Sequence, residues 1–99
     1  MNSEKYKCFL CGKIGPTERH HCFGGPNRRL AEEDKLVVHL CHQCHNEPPM
    51  GVHFNKRVRG WLQALAQKEY EEQKIKEGST PEAARELFMK RYGRNYRDE

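Results

Sequence analysis

Two Cys-x-x-Cys pairs, Cys8/Cys11 and Cys41/Cys44, enclose a His20-His21 doublet, and the second pair runs directly into His45. Four thiolates in two pairs are the donor set of a tetrahedral Zn²⁺, and a closed Cys₄ shell keeps no coordination position open for water. That ion is therefore expected to be structural. The histidines are a second set of chemistry-bearing residues, because all 6 fall within residues 20–53. Neutral imidazoles hold metals and move protons near pH 7. A sulfur-bound ion that holds His20, His21 and His45 in register is a narrower expectation than a generic cysteine-rich domain.

Those side chains must be positioned by a small and polar chain. The 99 residues make at most one domain, 35% of them are hydrophobic and 32% charged, and the mean hydropathy is -1.06. So thin a core is expected to draw part of its stability from a metal. There is no apolar run of membrane-spanning length, and Met-Asn-Ser-Glu-Lys lacks the apolar stretch of a secretory signal. The expectation is a reducing, cytoplasmic setting, where paired cysteines hold metal rather than form disulfides. Cys22 is the fifth, spare cysteine and reads as a small buried hydrophobe. The formal charge of +4 and a pI near 8.9 are compatible with a polyanionic partner and do not demand one.

Along the chain, Cys8-Phe-Leu-Cys11-Gly12 has the form of a zinc knuckle. Residues 18–23 read as a short strand carrying the doublet, and Gly24-Gly25-Pro26-Asn27 as a break. Arg28 to Lys35 reads as a charged loop, and Leu36 to Leu40 as the clearest strand. Cys41 to His45 opens a helical turn that Pro48-Pro49 cannot continue. From about Val52, the spacing of Phe54, Val58, Trp61, Leu62 and Leu65 predicts a helix with one apolar stripe. Lys68 to Lys74 reads as a solvated face, and Gly78 as the stop. Ser79-Thr80-Pro81-Glu82 restarts a helix whose apolar positions are Ala84, Leu87, Phe88 and Tyr92, closed by Gly93. The expected class is α+β: a metal-bound ββα unit over residues 8–55 with two C-terminal helices over 56–99.

The segments His20-His-Cys-Phe-Gly-Gly25 and Leu36-Val-Val-His-Leu-Cys-His-Gln-Cys-His45 resemble the HNH (His-Me finger) nuclease superfamily, and most of all its small zinc-stapled members among phage genes. The resemblance covers residues 8 to about 55. It implies a ββα-metal fold and a metal-dependent endonuclease that hydrolyses DNA phosphodiester bonds. It implies further that His20 is a metal ligand, His21 the general base and His45 the second ligand. Adjacent residues on a strand face opposite ways, which suits a doublet with two tasks if the strand twists at its end.

Two positions depart from the family pattern. The third ligand often lies one helical turn after the second, where this chain has Pro49, which cannot bind metal. His53 is the candidate replacement, with Asn46 and Glu47 behind it. The family's asparagine, which braces the base, corresponds to Leu36, so Asn27, Asp34 or main-chain carbonyls would have to orient His21. His39 and His42 read as surface or supporting residues.

The resemblance thus implies two metals: a structural Zn²⁺ on the cysteines, and a catalytic divalent ion (Mg²⁺, Mn²⁺, Zn²⁺ or Ni²⁺) on His20, His45 and His53. DNA is the implied partner. Arg28, Arg29, Lys56 and Arg57 are the candidate phosphate contacts, with Arg59 near His53 and a basic tail of Arg91, Arg94 and Arg97 around Tyr92 and Tyr96. Two rival readings are a non-catalytic zinc-ribbon module that binds nucleic acid or acts as an adaptor, and a redox or metal sensor. The first leaves His20, His21 and His45 without a task. The second is disfavoured because zinc would block both CxxC pairs.

Overall fold

A computed structural model describes residues 1–97, and its elements follow from local chemistry. The N-terminal knuckle closes through an antiparallel bridge between Lys7 and Ile14. Gly12, at φ 77°, turns the chain so that its amide donates to Cys8 O at 2.9 Å. The amide of Phe9 donates to His39 O at 2.8 Å, which fastens the knuckle to the sheet.

That sheet has two antiparallel strands, β1 (Glu18–His21) and β2 (Val37–Leu40), with His20 opposite Val38 and His21 opposite Val37. The chain is thus a small α+β fold with a two-stranded antiparallel sheet, helices and a four-cysteine cluster. β1 is shorter than the expected 18–23, because Cys22 and Phe23 leave the strand to pack into the core. The expected charged loop is in fact a turn of 3₁₀ helix at Gly25–Asn27 followed by α1 (Arg28–Glu33). Ala31 is fully buried, and Arg29 pairs with Glu33 at 3.1 Å, one turn on. One inward methyl and an i,i+4 ion pair let a segment that looks uniformly charged coil.

The helical turn after the second strand is α2 (His42–Asn46). The long helix α3 (Lys56–Lys76) starts four residues later than expected, because Asn55 takes the N-cap and accepts from Val58 N at 3.0 Å. The later start leaves Phe54 outside the helix. Phe54 and Trp61 are exposed, while Leu62, Ala66 and Tyr70 are buried beside half-buried Val58. Residues 68–74 are not wholly solvated either, since Tyr70 and Glu71 are buried.

Helix α4 (Pro81–Tyr92) begins as expected: Thr80 Oγ1 caps Ala83 N at 3.1 Å, with Pro81 in the first turn. It ends at Gly93 in the left-handed region, φ 88°. Ala84, Phe88 and Tyr92 face inward, whereas Leu87 is exposed.

One apolar cluster joins both halves. Val38 and Leu40 of β2 share it with Leu62, Ala66, Phe88 and Tyr92. Phe23, two residues beyond the doublet, lies 4.8 Å from the Tyr92 ring and 4.7 Å from the Tyr96 ring, centroid to centroid. Two polar ties reinforce the contact. Asp34, just after α1, accepts from Arg91 Nε at 2.7 Å and from Tyr92 OH at 2.6 Å. Buried Gln67 accepts from Tyr96 N at 2.6 Å, and buried Glu71 pairs with Arg97. The tail therefore folds back onto α3 instead of projecting a row of free cations. Arg91 and Arg97 are both turned to carboxylates, so of the expected basic tail only Arg94 has no ion pair among the described residues; it lies over the Tyr96 ring. No helix among the described residues is long and apolar enough to cross a membrane.

Candidate metal centres

The Sγ atoms of Cys8, Cys11, Cys41 and Cys44 all lie within 4.8 Å of one another, and Cys11 and Cys41 are 3.8 Å apart. Zinc–sulfur bonds of about 2.3 Å in a tetrahedron put neighbouring sulfurs about 3.8 Å apart. The group could hold a structural metal such as zinc. Its acid–base balance points the same way. Burial opposes ionisation of Cys8, yet backbone amides of Cys11, Cys41 and Leu10 bring its thiol down to about 6. Cys44 is pushed far up by burial and by its three sulfur neighbours. Four thiolates cannot share so small a space without a cation among them. Cys22, by contrast, is buried and pushed up to about 12 by that burial, an inert thiol as expected.

Immediately beside this group, ring nitrogens of His20, His45 and His53 also lie within 4.8 Å of one another. His20 comes from β1 and His45 from the end of α2. His53 comes from the turn before α3, not from the helix itself. The turn zips onto α2: Gly51 N donates to Glu47 O at 2.6 Å, Val52 N to Cys44 O at 2.8 Å and His53 N to His45 O at 3.3 Å. Backbone pairing thus delivers His53 to His45 across the proline insert. Gly51 permits it, because a Cβ there would stand 2.5 Å from Glu47 O.

His45 Nε2 and His53 Nε2 are 3.0 Å apart, about the spacing of two imidazole nitrogens bound at right angles to one ion at 2.0–2.1 Å. His20 is 6% exposed, and its Nε2 is the one buried side-chain nitrogen or oxygen among the described residues with no hydrogen-bond partner. A buried nitrogen without a hydrogen-bond partner, on a ring whose centroid lies 5.3 Å from those of His45 and His53, suits a metal ligand. Burial, then the neighbouring His45, His53, His21 and Arg59, lowers His20 to about 4. Burial, then His45 and Arg59, lowers His53 as well. Both are therefore in the neutral, ligating form at pH 7.

Sequence reasoning missed two carboxylates. Glu18 Oε1 accepts from His45 Nδ1 at 2.8 Å and from Asn46 Nδ2 at 2.8 Å, while its other oxygen meets His42 Nδ1 at 3.0 Å. Hydrogen bonds from His45 and then His42 hold the Glu18 carboxyl below its usual range. Glu32 Oε2 lies 2.6 Å from His21 Nε2, and Glu32 Oε1 accepts from Arg19 Nη2 at 2.7 Å. Arg19, then His21, lowers the Glu32 carboxyl. The signal for Glu18 was strand alternation, which puts it on the His20 face. Glu32 gave no such signal while its segment read as a loop.

The other expected residues fall as follows. Asn27 donates to Tyr92 O and Asp34 is taken by Arg91 and Tyr92, so neither orients His21. Asn46 serves Glu18, and Glu47 faces His42 at 3.6 Å; neither joins the three-histidine group. His39 is half-buried on β2, with its amide donating to Asn2, and His42 is exposed. Arg28, Lys56 and Arg57 are exposed without an ion pair among the described residues, whereas Arg29 is held by Glu33. Arg59 donates to Val52 O at 3.2 Å, beside the histidines. No protein-family model, curated protein or solved structure matches the chain.

Proposed function

We propose that this protein is a metal-dependent endonuclease of the HNH type, built as a ββα-metal unit, that hydrolyses DNA phosphodiester bonds. The observation that carries the reading is the convergence of His20, His45 and His53 from three separate elements, together with a buried His20 Nε2 that has no hydrogen-bond partner. Nothing in a purely structural zinc module calls for that arrangement.

In this reading Cys8, Cys11, Cys41 and Cys44 hold a structural zinc that fixes α2, and hence His45, against β1. His20, His45 and His53 hold a second divalent ion. Such an ion supplies Lewis acidity at the scissile phosphate and charge stabilisation at the leaving oxygen. The chain's own residues do the rest. Glu18 fixes the ring of His45 from behind, so that Nε2 faces the centre. His21, the next residue after a ligand, accepts the proton of the attacking water at its unbonded nitrogen. Arg28, Lys56 and Arg57 meet flanking phosphates without reading bases, so binding is salt-dependent and weakly sequence-specific.

Plasmid nicking tests the proposal, with each of Mg²⁺, Mn²⁺, Zn²⁺ and Ni²⁺ added to protein of measured zinc content. His21→Ala should lower the nicking rate by about 10²–10⁴-fold with secondary structure and zinc content unchanged. Wild-type protein that binds DNA but nicks it with none of the four ions would favour the zinc-ribbon binding module instead.

A further inference from the structure

We infer that Glu32 is the positioning residue for His21, fixing its Nε2–H tautomer and the direction of its free nitrogen, the task for which the resemblance offered only Leu36. The inference rests on the reading of His21 as the base, and its grounds are geometric. Glu32 Oε2 lies 2.6 Å from His21 Nε2. An ionised carboxylate only accepts, so Nε2 must carry a hydrogen, and in the neutral ring Nδ1 then keeps its lone pair. One ring nitrogen is thereby committed to orientation and the other is free for a proton.

The carboxylate is itself held. Its second oxygen takes Arg19 Nη2 at 2.7 Å. Arg19 and His21 are two apart on β1 and therefore share a face, so one carboxylate spans both side chains. Helix α1, which carries Glu32, is anchored at its C-terminal end: Glu33 and the C-cap Asp34 accept from Arg91 at 3.0 and 2.7 Å, and Tyr92 OH adds a bond of 2.6 Å to Asp34. Base, carboxylate and C-terminal helix form one chain of contacts. The pair is not a stability device, since the Glu32 side chain is 45% exposed. Its effect is on which nitrogen bears the hydrogen and where the ring points.

The test joins ¹⁵N NMR of the imidazole nitrogens with nicking kinetics on the zinc-loaded full chain, and the NMR arm needs no activity. Wild-type His21 should appear as the Nε2–H tautomer. Glu32→Ala should give a mixture of tautomers and a kcat about 10²-fold lower, within the range of a lost general base, with KM changed less than about twofold. Glu32→Gln keeps an oxygen acceptor without the charge and should recover part of both effects. Arg19→Ala, which strips the other partner from the same carboxylate, should leave the tautomer as in wild type. Retention of the Nε2–H tautomer in Glu32→Ala would overturn the inference. If wild-type protein shows that tautomer yet never nicks DNA, the nuclease reading fails while the pairing of Glu32 with His21 stands.

Discussion

Glu18 Oε1 and His45 Nδ1 are 2.8 Å apart, and this contact decides which nitrogen of His45 faces His20 and His53. The acceptor on Nδ1 holds the ring with Nε2 toward the other two imidazoles, and the same carboxylate gathers Asn46 and His42. Glu18→Ala should therefore lower affinity at the three-histidine site by about 10–100-fold while the four-cysteine site keeps its ion. Titration with Ni²⁺ or Mn²⁺ on zinc-loaded protein measures this; affinity unchanged from wild type would contradict the role given to Glu18.

Gly51 gives a second expectation. A methyl group at this position would meet the Glu47 carbonyl at 2.5 Å, and the turn would have to open. Gly51→Ala should destabilise the fold by about 1–3 kcal/mol, the usual penalty of overpacking. It should also weaken ion binding more than that loss explains, because His53 depends on the same turn. Urea unfolding and ion titration on one preparation check both effects. A destabilised variant with intact ion affinity would show that His53 is placed some other way.

The cysteine group should behave as a folding determinant. Cys41→Ser removes one donor from the four, and Cys41 itself sits buried at the start of α2. Binding energy of a structural zinc is folding energy, about 10–16 kcal/mol in small zinc-dependent peptides. The variant should lose its zinc by elemental analysis and its cooperative thermal transition together. A sharp transition without zinc would remove the ion from the account of stability.

The fourth expectation concerns pH. Burial, followed by the charges of His45, His53, His21 and Arg59, lowers His20 from 6.5 to about 4. Between those values the unfolded chain binds a proton that the folded chain refuses. The contribution of His20 to stability is thus whole above pH 6.5 and is lost as the pH falls to about 4. His20→Gln should flatten that part of the stability curve, compared with wild type at equal zinc loading and with no other divalent ion. A difference between the two proteins that stays constant across this window would refute the assignment.

Much of the architecture was legible because local chemistry dominates it. The Thr80 cap, the Gly93 stop and the strand at Val37–Leu40 each rest on a few neighbouring residues. The four cysteines were legible by type and spacing and the three histidines through the family resemblance, and the structure gathers them into two groups. The failures have separate causes. Starting the long helix at Val52 ignored Asn55 as a cap and so drew Phe54 into the apolar stripe, which also took in the exposed Trp61. Reading residues 28–35 as a loop hid Glu32, whose value appears only when α1 swings it against His21. The arginines near the C-terminus looked free because their partners, Asp34 and Glu71, lie 57 and 26 residues away.

Phe23 stands two positions beyond the histidine doublet, and its ring lies 5.6 Å from Phe88 as well as against Tyr92 and Tyr96. A fragment ending at residue 55 would carry every metal donor and yet leave that aromatic ring facing solvent. Grafting the donors onto another scaffold would therefore require an aromatic ceiling beneath which the histidine strand can lie flat.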